Sequence, residues 1–309
     1  MIDKIIQLIS FIFFGIALWL IVKEVELVGA KYLWGQILST PLWVIGVAVF
    51  IAGINFTVLS GYDITALEYI HKSLPYRRIL EASSIGFAIS NTSGHAYVAG
   101  GSVRYLFYLP QGLTRAEIIR VIAFESLTIL MGMGAAYVLA VGLAPYEKIL
   151  SGISYLKALY WSAGGVVAGF VLYYLIWVRR GKNMSVAGHV IEAPSPILTL
   201  KQIMVGLGDN ITLFLCFYIL LRYHIHAPII PAFMVFIIAQ TIGLTTQVPG
   251  GIGVFEGTFL YLFPHTGSDK SGILASLALF RVLYYFLPFI MASLYLGGWF
   301  VMRRLKPRN

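Results

Sequence analysis

Long apolar runs are the feature that most constrains how this chain can fold. Six of them reach or approach the length of about 20 residues that a helix needs to cross a bilayer. These runs are Ile5–Val22, Trp43–Ser60, Ile118–Leu143, Leu156–Val178, Ile197–Leu221 and Ile273–Met302. Only 11% of the residues are charged, whereas a soluble domain carries about 25%. The sequence therefore predicts an all-α, polytopic helical membrane protein, with residues 1–309 forming a single transmembrane domain.

Basic residues occur in short clusters between the apolar runs. Examples are Arg77-Arg78, Arg179–Lys182 and Arg303–Lys306, and the net charge is +9. Such clusters mark the cytoplasmic ends of membrane spans and favour anionic headgroups. The pattern predicts a multi-pass protein with both termini cytoplasmic and does not predict nucleic acid as a partner. We interpret the N-terminal run as a span and not as a signal peptide, because no small-residue cleavage site follows it.

Two further apolar segments are interrupted by polar residues and glycines. Ala82–Leu106 contains Asn91–His95 and Gly100-Gly101, and Ile229–Phe263 contains Thr245–Gly253. Basic residues lie on both sides of the first segment, so the positive-inside rule predicts that it enters and leaves on one face. The second segment must then leave and rejoin the opposite face. We therefore predict two re-entrant helical hairpins.

The order of these elements predicts two pseudo-repeats, at roughly residues 1–145 and 150–305. Each contains two spans, a hairpin and one further span, and three crossings per half would invert the second half relative to the first. Inverted repeats with discontinuous helices are a transporter architecture in which the substrate lies where the breaks meet. The alternative is a series of ordinary short spans, or only one irregular half.

Irregular backbone within a bilayer requires protein or water around it, because unpaired peptide groups are costly in hydrocarbon. Glycine permits unusual dihedral angles, and proline ends the preceding helix. The residues predicted at the hairpin tips are Gly100, Gly101, Pro249, Gly250, Gly251 and Gly253. They predict a polar cavity between the hairpins, and the alternative is that the tips only pack against other helices.

Charged residues inside the apolar segments are the second functional signal. They are Arg104, Glu125, Asp209, Glu256 and Arg281. A charge at the centre of a bilayer costs roughly 3 kcal/mol and is usually paired or functional. The spacing of Arg281, Tyr284 and Tyr285 predicts one helical face. A guanidinium can hold a phosphate through two hydrogen bonds, so this face suits a lipid headgroup, although arginine–carboxylate pairs that tie helices together are an equally physical interpretation.

No catalytic or nucleotide-binding motif accompanies these charges. The sequence contains no HExxH motif, no nucleophile elbow and no Walker loop, each of which would indicate a definite chemistry. We therefore expect a transporter and not an enzyme, with no cofactor and no metal.

Three stretches resemble a known family. Asn91–Tyr108 and Pro249–Glu256 resemble two signatures of the flippase domain of bacterial lysylphosphatidylglycerol synthases, and Arg281–Pro288 resembles the last span of its stand-alone inner-membrane members. Gly61–Asp63 also fits this family. The resemblance implies a protein of the bacterial plasma (inner) membrane that binds or moves phospholipids, and a homodimer is among the assemblies it implies. The synthases carry a soluble aminoacyl-transferase domain after the membrane part, whereas this sequence ends at Asn309, so only lipid handling is expected of it.

The leading hypothesis is a lipid translocator with a headgroup site between the hairpins. Arg104 and Arg281 would hold phosphate, preferably of an anionic phospholipid. The carboxylates of Glu125, Asp209 and Glu256 would balance these cations or engage a cationic headgroup, and neutral hydrogen bonds would come from Tyr284, Tyr285 and Asn91. Two alternatives remain. One is a secondary transporter of a small ion or polar solute, with Asp209 or Glu256 as the proton carrier, and the other is a non-transporting subunit of a lipid-modifying complex.

Overall fold

The computed structural model describes residues 30–92, 96–143, 156–180, 184–186, 189–246, 248–263 and 269–305. These residues form α1 (Ala30–Leu38), α2 (Leu42–Tyr69), α3 (Tyr76–Ser90), α4 (Ala96–Tyr108), α5 (Arg115–Leu143), α6 (Leu156–Tyr173), α7 (Pro196–His224), α8 (Ile229–Thr245), α9 (Val254–Leu262), α10 (Asp269–Phe280) and α11 (Leu287–Leu305). Two short strands, β1 (Met184–Val186) and β2 (His189–Ile191), pair antiparallel. The predicted helical fold class is confirmed.

Five stretches of the described residues are long and apolar enough to cross a membrane. They are α2, α5, Trp161–Val178 beginning in α6, α7, and Lys270–Met302 across α10 and α11. They confirm five of the six predicted spans, and the sixth, Ile5–Val22, lies outside the described residues. The second span is longer than predicted, because α2 continues from Ser60 to Tyr69 and carries Asp63 within the helix.

Both interrupted segments fold as a helix, a break and a second helix. The first break separates α3 from α4, and the second separates α8 from α9. With a rise of about 1.5 Å per residue, α3, α4 and α9 are about 23, 20 and 14 Å long. The hydrocarbon core is about 30 Å thick, so none of these three helices spans it alone.

Two of the predicted tip residues lie elsewhere. Gly100 and Gly101 are inside α4 and not at the turn between α3 and α4. A Cβ on Gly100 would overlap the Ser90 hydroxyl, and a Cβ on Gly101 would lie 2.9 Å from Ile122 Cδ1. These glycines therefore allow α4 to approach its neighbours closely, which is a packing role and not a turn.

The helix starts follow local capping chemistry. Ser195 accepts a hydrogen bond from the Leu198 backbone N–H at 3.2 Å, and Pro196 occupies the first turn of α7. This serine–proline pair satisfies an orphan N–H and presets the helical φ angle. At the start of α5, Thr114 and Glu117 exchange side-chain to backbone hydrogen bonds of 2.7 and 3.3 Å, which is a capping box.

Glycines let the long helices cross in close contact. A Cβ on Gly132 of α5 or on Gly206 of α7 would overlap the backbone of the other helix. On the other side of α7, a Cβ on Gly61 of α2 would lie 2.9 Å from Val205 Cγ2. Small residues allow the helix backbones to approach this closely. Dispersion between the packed atoms then stabilises helix contacts inside a bilayer, where the hydrophobic effect does not drive helices together. Helix α7 is thereby held between α2 and α5.

An aromatic cluster packs the second half of the chain. Phe217 of α7 meets the rings of Phe236, Phe259 and Phe280 at centroid distances of 5.5, 5.0 and 5.5 Å. Edge-to-face and offset contacts of this kind add to dispersion. The cluster packs α7 against α8, α9 and α10, next to the second break.

The helix between α10 and α11 is locally widened. Arg281–Phe286 forms a π-helical segment, in which the Leu287 N–H donates to the Val282 carbonyl. Pro288 lacks the N–H that an α-helix would direct at the Tyr284 carbonyl, which favours such widening. Single π-helical turns occur frequently at functional sites, and this one carries Arg281, Tyr284 and Tyr285.

Candidate functional site

The two breaks meet at one cavity of about 480 Å³. Its polar and glycine lining comes from five helices, the two breaks and the π-helical segment. These residues are Ser90, Asn91, Gly101, Arg104, Glu125, Ser126, Asp209, Asn210, Gln240, Gly243, Thr245, Gly250, Gly251, Arg281, Tyr284 and Tyr285. A Cβ on Gly250 would lie 3.3 Å from the Asn91 carbonyl oxygen, so the ends of α3 and of the second break are in direct contact.

Arg104 is enclosed by two carboxylates. Its Nε and Nη2 atoms donate to the two oxygens of Asp63 at 2.9 and 2.8 Å, and Nε also donates to Glu125 at 2.7 Å. The Tyr108 hydroxyl donates to Asp63 at 2.5 Å, and the guanidinium lies 4.9 Å from the Phe87 ring centroid. Bidentate pairing of this kind fixes both partners. Arg104 is 3% exposed, so its charge is balanced inside the protein.

Glycines make room for that guanidinium. Cβ atoms on Gly86 and Gly100 would each lie 3.1 Å from Arg104 Nη1. Such a distance is tighter than ordinary carbon contacts, so larger residues at both positions would push the arginine away from Asp63. The small residues of α3 and α4 therefore position the cation.

Arg281 holds the second break together. Its Nε donates to Glu256, and its Nη1 and Nη2 donate to the carbonyls of Gly250 at 2.5 Å and Gly251 at 3.3 Å. The guanidinium also lies 4.5 Å from the ring centroid of Tyr285. These carbonyls have no helical partner because the chain turns there. The cation thus replaces the hydrogen bonds that the break removes.

The backbone of this break requires glycine. Gly250, Gly251 and Gly253 have φ angles of 60°, 61° and 84°, a region that other L-residues rarely adopt. Glu256 then accepts the Gly253 N–H at 2.6 Å, which caps α9 through its N-terminal turn. A single carboxylate therefore both caps a helix and neutralises Arg281.

A third polar group lies at the middle of α7. The Asp209 carboxylate accepts from Asn55 Nδ2 at 2.9 Å and from the Tyr62 hydroxyl at 2.8 Å. Asn55 in turn accepts from the Tyr284 hydroxyl at 2.5 Å. Next to Asp209, the Asn210 amide donates to the Gly206 carbonyl at 2.8 Å, and its Oδ1 is buried without a partner among the described residues.

The cavity gathers most of the residues that the sequence singled out. Those that line it directly are Asn91, Arg104, Glu125, Asp209, Arg281, Tyr284 and Tyr285. Glu256 lies behind Arg281. The arginines are in internal ion pairs, and most of the charged groups also face the cavity, so headgroup binding by these residues stays a prediction. Sequence reasoning missed the contributions of Asp63, Asn55, Tyr62 and Tyr108.

The charge of this region is not that of a simple anion site. The region holds two guanidiniums, of Arg104 and Arg281, and four carboxylates, of Asp63, Glu125, Glu256 and Asp209, so a fully ionised set would be net negative. Phosphate binding therefore requires that an arginine exchange a carboxylate for the ligand, or that a carboxylate be protonated. Within the described part of the chain, no cluster of three or more His, Cys, Asp or Glu side chains could hold a metal ion.

Comparison with known proteins supports the family resemblance seen in the sequence. The sequence matches the family model for the lysylphosphatidylglycerol synthase TM region over residues 7–292. An uncharacterized protein of Synechocystis sp. is 28% identical over 260 residues, which cover 83% of this chain and 79% of that protein. Inner membrane protein YbhN of Escherichia coli is 23% identical over 291 residues, which cover 93% of this chain and 89% of YbhN.

One curated relative is much longer than this chain. Phosphatidylglycerol lysyltransferase of Bacillus subtilis is 25% identical over 256 residues, which cover 81% of this chain and 29% of the enzyme. The similarity therefore spans less than a third of that protein, and its named activity belongs to the whole enzyme.

Proposed function

Because this chain belongs to the lysylphosphatidylglycerol synthase TM-region family, we propose that it translocates phospholipids between the leaflets of a bacterial inner membrane. The observation that carries the proposal is the cavity between the two breaks, which is lined by both buried arginines and by three acids and amides of α5 and α7. Its volume of about 480 Å³ is within the range of ligand pockets. A headgroup would occupy it while the acyl chains stay in the bilayer.

The rim of the cavity supports access from the side. Leu130 of α5 and Leu244 of α8 both line the cavity and are 56% and 39% exposed. An apolar rim between two helices suits acyl chains, whereas the polar interior suits a headgroup. A lipid that enters there would not have to draw its chains through the polar cavity.

The ion pairs support a site that can change partners. A phosphate offers the same planar pairs of oxygens that a guanidinium recognises in a carboxylate. Arg104 holds Glu125 and Arg281 holds Glu256, and a bound phosphate would replace one of these carboxylates. The name of the Bacillus subtilis relative points to phosphatidylglycerol as a candidate lipid.

The two broken helix pairs support alternating access. We propose that α3–α4 and α8–α9 are re-entrant hairpins of two inverted halves, because their short helices flank breaks that meet at the cavity. The glycine-rich second break would open or close one face of the cavity while Arg281 exchanges its backbone partners. A homodimer would leave this arrangement unchanged, since the cavity is built within one chain.

A cavity-filling variant tests the proposal. The purified protein is placed in liposomes that contain a fluorescent phospholipid, and exchange between leaflets is followed by quenching the outer leaflet. Ser126 lines the cavity on α5, and Ile119 lies on the same helix with 66% of its surface exposed. We expect Ser126→Trp to abolish exchange, because the indole occupies the headgroup space, and Ile119→Trp to exchange lipid as the wild type does.

The outcomes separate translocation from its alternatives. Wild-type protein that exchanges lipid no faster than empty liposomes would overturn the proposal. Equal exchange by both tryptophan variants would show that lipid moves by another route. Co-purification of a stoichiometric enzyme with an otherwise inactive chain would instead favour the subunit of a lipid-modifying complex.

A further inference from the structure

The carboxylates around the cavity are not equivalent. Asp63 and Glu125 bind Arg104, and Glu256 binds Arg281. Asp209 differs, because no cation pairs with it among the residues that the structure describes. An ionised carboxylate without a counter-ion is costly inside a bilayer. Among the described residues around the cavity, Asp209 is therefore the carboxylate whose charge no cation balances.

The hydrogen bonds of Asp209 suit both of its protonation states. One oxygen accepts from Asn55 Nδ2 at 2.9 Å, and the other accepts from the Tyr62 hydroxyl at 2.8 Å. Both donors are neutral, so they stabilise the ionised carboxylate without cancelling its charge. A hydroxyl can also accept a hydrogen bond, so Tyr62 can rotate and accept a hydrogen bond from a protonated Asp209.

The position of Asp209 gives it access to water in the cavity. It lies near the middle of the 29-residue helix α7 and lines the cavity. The neighbouring Asn210 is 3% exposed and also lines the cavity, with its Oδ1 atom unpartnered among the described residues. Buried acceptors of this kind usually hold an ordered water. A water there would lie in the same cavity as Asp209 and could carry a proton to it.

Other titratable and charged groups face Asp209 across the same space. Tyr62 comes from α2, Glu125 from α5, and Tyr284 from the π-helical segment. Arg104 and Arg281 line the cavity but are held by their own carboxylates. Among the side chains that the structure describes, α8 and α10 place no charged group on the cavity. The surroundings of Asp209 are therefore polar and neutral or already paired.

We propose that Asp209 is a proton-binding site that couples headgroup movement to proton movement across the membrane. This inference rests on the proposed lipid translocation and adds its energy source. The carboxylate takes a proton from hydronium in the cavity when it is open to the acidic face, and leaves a water molecule. After the cavity opens to the other face, Asp209 returns the proton to water, and one proton has crossed with each cycle.

Liposomes with a transmembrane pH gradient test the coupling. A gradient of about one pH unit corresponds to about 1.4 kcal/mol per proton, so wild-type exchange should differ up to about tenfold between the two gradient directions. We expect Asp209→Asn to lose this dependence and Asp209→Glu to retain it, because only the second keeps an ionisable group. Glu192→Gln removes an exposed carboxylate and should respond to the gradient as the wild type does.

Infrared spectroscopy gives a readout that does not need transport. A protonated carboxylic acid has its own C=O stretching band, so the wild type should show a pH-dependent band that Asp209→Asn lacks and Glu192→Gln keeps. If Asp209→Asn does not fold, Asp209→Glu should shift the same band. Lipid exchange in the wild type without gradient dependence, or a spectrum without a contribution from residue 209, would overturn the inference and leave the translocation proposal standing. Absence of any exchange would instead overturn translocation.

Discussion

Arg104 shows what a buried cation does for a membrane protein of this kind. Its guanidinium joins Asp63 of α2 and Glu125 of α5 to α4 through charge-assisted hydrogen bonds of 2.7 to 2.9 Å. The Coulomb attraction of such a triad is offset by the desolvation of its members, so the whole triad contributes little net stability. Removal of one member is different, because the remaining charges are left uncompensated.

We therefore expect Arg104→Gln to be strongly destabilising. Loss of one partner from a buried pair typically costs about 3–5 kcal/mol, and this change leaves Asp63 and Glu125 as adjacent like charges. Thermal unfolding of the purified protein in detergent, followed by tryptophan fluorescence, measures the effect. The matched control is Arg77→Gln, which breaks the exposed pair with Glu81 and should change stability little. Equal shifts in the two variants would contradict the structural role given to Arg104.

The sequence identified the charged residues but not their partners. Arg104, Glu125, Asp209 and Arg281 could be recognised because ionisable residues are rare inside apolar runs. Their pairing depends on helices that lie far apart along the chain, and no spacing rule reports such contacts. Asp63 was missed as a site residue because the apolar run ends near Ser60, while the helix itself continues to Tyr69.

At the scale of single elements, α7 is the helix on which the architecture depends. It carries Asp209 at its middle, and it crosses α5 where Gly132 and Gly206 bring the two backbones together. Neither crossing residue can accept a side chain without moving a helix. The distance between α5 and α7 also sets the width of the cavity, because both helices line it.

We expect Gly206→Ala to destabilise the protein through this crossing. Insertion of extra atoms into a tightly packed contact typically costs about 1–3 kcal/mol, and the added methyl group would overlap Gly132. Gly165→Ala is the matched control, because a Cβ at Gly165 of α6 meets no atom within 4 Å. The temperature of thermal unfolding should therefore fall for Gly206→Ala and stay unchanged for Gly165→Ala. A neutral Gly206→Ala would show that α5 and α7 separate easily.

Secondary-structure elements that composition determines could be predicted from the sequence. Elements that depend on tertiary contacts could not. Length and apolarity were sufficient for five spans, and glycine with proline was sufficient for the second break. The π-helical widening at Arg281–Phe286 was not predicted, because it depends on Pro288 and on the contacts of the arginine. The location of Gly100 and Gly101 was predicted wrongly, because glycine occurs both in turns and where helices pack closely.

At the scale of the whole molecule, the two predicted pseudo-repeats would share one order of elements, and the first span of the first one, Ile5–Val22, lies outside the described residues. In the first, α2 precedes the broken pair α3–α4 and the span α5. In the second, α6 and α7 precede the broken pair α8–α9 and the span that contains α10 and α11. The orientation of these parts in a membrane stays a prediction. It follows from the number of membrane spans between equivalent loops, because an odd number places the two loops on opposite faces.

Labelling of single cysteines from either face tests that orientation. Ser73 precedes α3–α4 and His226 precedes α8–α9, and both residues are exposed. If α3–α4 returns to its own face, the three spans α5, α6 and α7 separate the two positions. In a background with Cys216 replaced by alanine, a membrane-impermeant maleimide should label Ser73→Cys only from the cytoplasmic face and His226→Cys only from the outer face.

A third cysteine distinguishes a re-entrant hairpin from two full spans, because both return the chain to the same face. Thr92 lies at the break after α3. If α3 and α4 crossed the bilayer, Thr92→Cys would be labelled from the outer face as readily as His226→Cys. We expect it to be protected from that face, because α3 and α4 are each shorter than the hydrocarbon core of about 30 Å. Labelling of Ser73→Cys and His226→Cys from the same face would rule out opposite insertion of the two hairpins, and with it the inverted repeat.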